Sequence, residues 1–258
     1  MRSVRRCLTA VLIVVALAAA PVSAQPASAI AYGEDVDAGA YPFTVLLTMA
    51  GLPTDGPGTR DSSCSGALVA PRWVITAGHC FRTADGRRVS RTVADRTTAT
   101  IGRADLSSGE GHEAEVVSVR QAEGADVALA EIDPAVTDIT PLRVGTAPPT
   151  VGEVVRLTGY GLTAGDGSEP AQRLQTGQFV VGRTSDSLIE TSGKAPRADT
   201  SPCPHDSGGP YFRQQRDGPR SWWPWSAAGP DAPTRGRTSA RGPTISPTGS
   251  LIRRAIAI

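Results

Sequence analysis

The sequence predicts an all-β fold, on three observations. Short runs rich in Val, Ile, Leu and Thr recur along the 258 residues, turn residues such as Gly, Pro, Asp and Ser separate them, and no long amphipathic helix intervenes. The runs are Phe43 to Met49, Gly66 to Ala70, Trp73 to Ala77, Val116 to Val119, Val127 to Ile132, Val154 to Thr158 and Gln178 to Val181. Strands this short and this regularly punctuated belong to a sandwich or a barrel.

Ahead of the first strand, Arg2, Arg5 and Arg6 precede an apolar stretch from Leu8 to Ala20, broken only by Thr9. That is the pattern of a secretory signal peptide, and the stretch is shorter than the roughly 20 apolar residues of a membrane span. Small residues allow cleavage after Ala24 or after Ala29, and the sequence leaves both open. Residues 1–29 are therefore expected to be a signal peptide, with Gln25 to Ala29 a short propeptide if cleavage follows Ala24. The exported part, roughly 230 residues, suffices for one large β domain or two small ones.

The 26 Lys and Arg residues nearly balance the 25 Asp and Glu residues, leaving a net charge of +1. No electrostatic case exists for nucleic acid or for a membrane surface as a partner once the signal is removed. Lys194 is the only lysine, and 28 Gly and 21 Pro point to a GC-rich genome. Of the four cysteines, Cys7 lies in the signal segment, so Cys64, Cys80 and Cys203 remain. An odd number in an exported chain implies an intermolecular bridge or a missing partner.

The segment Thr137 to Gly152 carries Pro141, Pro148 and Pro149 with little periodicity. It reads as a link between two halves, 30–145 and 146–220. Beyond Gly218 the chain turns to Pro, Gly, Arg, Ser and Thr around Trp222, Trp223 and Trp225.

Three strings carry chemistry: Thr-Ala-Gly-His-Cys at 76–80, Asp-Val-Ala-Leu at 126–129 and Asp-Ser-Gly-Gly-Pro at 206–210. Singly, each has an ordinary reading: a surface histidine after a strand, a turn aspartate, a tight turn. Jointly, in the order His, Asp, Ser, they resemble the trypsin/chymotrypsin family of serine proteases, in a bacterial, actinomycete-like form. The resemblance covers roughly residues 30 to 212 and implies two packed six-stranded Greek-key barrels. It also implies a catalytic triad of His79, Asp126 and Ser207. A serine hydroxyl is a poor nucleophile near neutral pH, so His79 would take its proton, Asp126 would hold the imidazole tautomer, and Ser207 would form the acyl-enzyme.

The same resemblance assigns further roles. The backbone N–H groups of His205 and Ser207 would form the oxyanion hole, Ser201 would lie at the base of the specificity pocket, and Cys64 would pair with Cys80. A freed α-ammonium at Ile30 would pair with Asp206 and order the oxyanion turn. Ser201 argues against a simple preference for basic residues, although Asp199, two residues earlier, could enter the pocket through a register change.

Two departures stand out. His205 occupies a position where the family nearly always has glycine, and losing one oxyanion donor costs about 100- to 1,000-fold in rate. The tail also lacks the family's substrate-pairing strand, its cysteine loop and its closing helix. Codons formed from the last base of each codon and the first two of the next explain this. Trp is always TGG and Pro begins CC, so Trp222/Trp223 reads GTG, valine, and Trp223/Pro224 reads GCC, alanine. Synonymous choices extend the run to Val-Val-Ala-Val-Val-Ser. They also supply a cysteine at Asp231/Ala232, a partner for Cys203. Residues 221–258 are thus expected to be a frameshifted tail without regular structure, leaving the second barrel incomplete.

The sequence therefore points to a secreted, monomeric serine endopeptidase that hydrolyses peptide bonds in protein or peptide substrates without metal or organic cofactor. The alternative is a weakened or inactive homologue on the same scaffold, acting as a secreted binding protein.

Overall fold

A computed structural model describes residues 29–145, 147–162, 171–185, 188–214, 221–222 and 226–228. The expected signal segment up to residue 28, and the tail from residue 229 with its expected cysteine and helix, lie outside the described residues. In chain order the strands are β1 (Glu34–Asp35), β2 (Thr44–Pro53), β3 (Thr59–Ala70), β4 (Trp73–Ala77), β5 (Arg96–Ile101), β6 (His112–Gln121) and β7 (Val127–Asp133). They continue as β8 (Arg143–Val144), β9 (Val154–Gly159), β10 (Gln175–Thr184), β11 (Leu188–Ala195), β12 (Tyr211–Arg213), β13 (Ser221–Trp222) and β14 (Ser226–Ala228). A single 3-10 turn, Gly78–Phe81, is the helical element among the described residues.

The chain is all-β, as predicted. Strands β2-β3-β4-β7-β6-β5 close into a six-stranded antiparallel barrel, β5 pairing back onto β2. Closure leaves this barrel without an edge strand, so it presents no ribbon of unpaired backbone groups to other chains. The pattern of β6 shows why these residues form strands. Ala114 and Val116 point into the core while Glu113 and Glu115 face solvent, a period of two. In β7 the run Val127 to Ala130 is buried throughout, which its continuous apolar sequence foretold.

Among the described residues the second sheet has eight strands, seven in the order β14-β11-β10-β9-β12-β13-β8 and β1 pairing off this path with the start of β10. Its core gathers Ile30, Val155, Leu157, Phe179, Val181, Ile189 and Tyr211. Two differences from the sequence reading follow from this packing. Residues 30–35, expected in the first half, belong to the second sheet: Ile30 is fully buried in that core, and Glu34 and Asp35 pair with Thr176 and Gln175. Within the stretch expected to be irregular, β13 pairs with β12 and with β8, and β14 pairs in parallel with β11.

The two sheets meet along a polar seam. Thr44 Oγ1 and Thr158 Oγ1 hydrogen-bond at 2.8 Å, the Tyr160 hydroxyl donates to the Arg103 carbonyl, and the Tyr160 N–H donates to Ser65 Oγ at 2.9 Å. All of these groups are wholly or largely shielded from water, where an unpaired hydroxyl or amide would be costly, so the seam fixes the relative placement of the halves.

Candidate active site

His79 sits in the 3-10 turn that follows β4, and Asp126 immediately precedes β7, the neighbour of β4 in the barrel. Pairing of Ala77 with Val127 therefore brings the two together across 47 residues of chain. His79 Nδ1 lies 2.6 Å from Asp126 Oδ2, and the His79 backbone N–H donates to Asp126 Oδ1 at 2.8 Å. The carboxylate thus holds the histidine at two points, ring and backbone. Arg82 Nη2 also donates to Oδ1, at 3.0 Å. Burial alone would raise the Asp126 pKa, but the His79 hydrogen bond and the charges of His79 and Arg82 outweigh it and hold the carboxyl below its usual range. Arg82 was not foreseen, because nothing local to its sequence marks a contact with residue 126.

Ser207 lies in the turn between Ser201 and β12. The Ser65 N–H donates to its carbonyl at 2.9 Å, which pins the turn to β3. Gly208 follows with φ +82°, and a side-chain carbon there would stand 2.5 Å from the Ala77 nitrogen and from the Ser65 oxygen. The glycine lets this turn press against the end of β4, two residues before His79. Ser65, which is fully buried, also gives its hydroxyl to the His205 carbonyl at 3.1 Å. Sequence reasoning missed this serine; its position directly after Cys64 was the one available signal.

His205 reaches the left-handed region, with φ +74°. For a residue with a side chain this costs about 1–2 kcal/mol, yet the conformation that glycine would supply is present. The Pro204 carbonyl accepts from the Leu162 N–H at 2.7 Å, so across the trans peptide the His205 N–H points the opposite way. Among the described residues neither the His205 nor the Ser207 backbone N–H has an acceptor.

Asp206 is buried beneath this turn. Its Oδ1 accepts from the Gly161 N–H at 2.8 Å and its Oδ2 from the Cys203 N–H at 2.9 Å. Burial nonetheless pushes its pKa up to about 7. A side-chain carbon at Gly161 would meet Asp206 Oδ2 at 2.6 Å and the Ala29 carbonyl at 2.7 Å, so the chain entering Ile30 and the Asp206 carboxyl flank one glycine. Burial, with the Asp206 charge adding to it, raises the Cys203 thiol to about 11.

The residues named for specificity separate. Ser201 is buried and bridges Ala31 through both backbone groups. Asp199 is exposed and makes two hydrogen bonds to Arg197, at 2.8 and 2.9 Å, while the Arg197 guanidinium lies 4.1 Å from the Tyr32 ring. Cys64 and Cys80 are joined in a disulfide that ties β3 to the His79 turn. Cys64, His79 and Cys80 are near enough to hold a cation, but their sulfurs are bonded to each other and the cluster lacks a thiolate donor.

The chain is similar to known proteins along most of its length. Residues 30–235 match the family model described as Trypsin. The chain is 26% identical over 236 residues to chymotrypsin-like elastase family member 3B of Homo sapiens, across 80% of this chain and 81% of that protein. It is 28% identical over 201 residues to a trypsin of Saccharopolyspora erythraea, across 69% of this chain and 79% of the relative. With serine protease 56 of Mus musculus it shares 29% identity over 216 residues, 73% of this chain and 32% of that protein. A closed antiparallel barrel, a histidine and an aspartate joined at its rim, and a match that spans both sheets lead to one statement of kinship: the chain belongs to the trypsin family.

Proposed function

We propose that the chain is a secreted serine endopeptidase in which Ser207 is the nucleophile, His79 the general base and Asp126 its orienting partner. The observation that carries this reading is the double hold of Asp126 on His79, through Nδ1 at 2.6 Å and the backbone N–H at 2.8 Å. With Nδ1 engaged as a donor, the neutral ring keeps its Nε2 lone pair to receive the Ser207 proton. Ser207 Oγ then attacks the scissile carbonyl carbon, and the carbonyl π electrons become the oxyanion. His79 returns the proton to the leaving amine as the C–N bond breaks, and water repeats the sequence to release the acyl group.

The N–H groups of His205 and Ser207 stabilise the oxyanion, and their lack of acceptors among the described residues supports that role. Cleavage before Ile30 frees an α-ammonium that pairs with Asp206, relieving a buried carboxyl that has no cation partner among the described residues. Secretion is supported by the signal-peptide pattern and by the Cys64–Cys80 disulfide. The substrates are proteins or peptides. With Asp199 held by Arg197, Ser201 stands as the base of the specificity pocket, which argues against a simple preference for basic side chains.

A fluorophosphonate probe tests the assignment, because only an activated serine reacts. The chain beginning at Ile30 takes up one equivalent, and Ser207→Ala takes up none. An unlabelled wild-type chain, or a Ser207→Ala variant that still labels, overturns the proposal.

A further inference from the structure

We propose that Ser63 is a positioning residue, whose hydroxyl locks the His205 side chain and thereby holds the His205 backbone in its left-handed conformation. The inference rests on the reading of this turn as the oxyanion site, and deepens it.

Ser63 lies on β3 and is 3% exposed, and its Oγ stands 2.6 Å from His205 Nδ1, 142 residues along the chain. A buried hydroxyl needs a hydrogen-bond partner, and His205 is the one Ser63 has among the described residues. Burial and the nearby Arg60 charge lower the His205 pKa, which keeps Nδ1 available as an acceptor for the Ser63 proton.

His205 is thus anchored at three points. The peptide before it is held through the Pro204 carbonyl by Leu162, the carbonyl after it by Ser65 Oγ, and the side chain by Ser63. With φ at +74°, the side-chain anchor opposes the ordinary drift of an L-residue towards negative φ. Rotation about φ turns the Pro204–His205 peptide relative to the rest of the turn, and that peptide carries the His205 N–H. Loss of the Ser63 hydroxyl therefore redirects an oxyanion donor without touching substrate. The anchor also has a rigid base, because Ser63 precedes Cys64, whose disulfide to Cys80 adjoins His79. Glycine at position 205 would need no such anchor, since it adopts positive φ freely.

The test is a double-mutant cycle on the chain beginning at Ile30, with Ser63→Ala, His205→Gly and both together, plus Ser63→Thr. Fluorophosphonate labelling rate and urea-denaturation midpoint are read for each. Ser63→Ala should slow labelling about tenfold in the His205 chain and change it less than about twofold in the His205→Gly chain, while Ser63→Thr, which keeps the hydroxyl, retains most of the rate. The fall should lie in kcat with peptide substrates, with KM nearly constant. The midpoint should drop with Ser63→Ala only where His205 is present. Equal effects of Ser63→Ala in both backgrounds overturn the lock. If no variant labels, wild type included, the protease reading fails on its own, and the midpoints decide the lock: non-additive values support it and additive values overturn it.

Discussion

Asp206 ties the proposed activation step to a measurable pH dependence. In the chain with the Ala29–Ile30 bond intact, two backbone N–H groups hold this buried carboxyl, yet burial raises its pKa from 3.8 to about 7. The folded value lies above the unfolded one, so the folded chain holds the proton more tightly. The resulting stabilisation is complete below about pH 4 and is lost as pH rises through about 7. A rise of about three pH units corresponds to at most about 4 kcal/mol, at 1.36 kcal/mol per unit. Urea unfolding of the uncut chain between pH 4 and 8 should show this decline, and Asp206→Asn, which cannot ionise, should flatten it. In the chain beginning at Ile30 the α-ammonium stabilises the carboxylate, so the decline should vanish there too. A slope in Asp206→Asn equal to that of the uncut wild type refutes the assignment of the pH dependence to this residue. A slope that persists after Ile30 is freed refutes the ion pair.

Two further outcomes follow from the site geometry. Gly208→Ala places a carbon 2.5 Å from the Ala77 nitrogen and the Ser65 oxygen at a positive φ, so it should cost more than about 2 kcal/mol in urea unfolding and abolish probe labelling. Arg82→Gln removes a cation from Asp126, whose depressed pKa contributes stability that is present above the unfolded value and lost as pH falls through the folded one. The variant should therefore lose stability on acidification at a higher pH than wild type, read as the midpoint of acid unfolding.

The elements that were legible in the sequence are those whose side chains meet mostly apolar neighbours. Strands β4 and β7 were read nearly to the residue because Trp73 to Ala77 and Val127 to Ile132 are mostly apolar, broken only by Thr76 and Glu131. Strand β5, with Arg-Thr-Thr-Ala-Thr-Ile, carries its pattern in threonines, two of which are buried in the barrel, and it was not anticipated. Strand β3 was read only from Gly66. Its earlier half, Thr59 to Ser65, is polar because Ser63 and Ser65 face the turn at 205–207 rather than a hydrophobic core.

His79, Asp126 and Ser207 were legible for a different reason. Each stands in a short string whose neighbours have local duties: the disulfide beside His79, the strand opened by Asp126, the glycine after Ser207 that permits a close approach. What binds these strings together is not local. The hydrogen bonds of Ser63 to His205 and of Tyr160 to Ser65 span 142 and 95 residues, and no periodicity or composition encodes a partner at that distance.

By itself, then, the amino-acid sequence determined the all-β class, carried the pattern expected of a signal peptide and held the three strings that resemble a triad, because strand period, apolar stretch and turn chemistry act over a few neighbouring residues. Only the tertiary structure decided that Ile30 packs into the second sheet beside the Asp206 turn, that Arg82 shares Asp126 with His79, and that His205 adopts the conformation of a glycine. Those outcomes depend on burial and hydrogen bonding between segments that meet only when the first barrel closes and the second sheet docks against it.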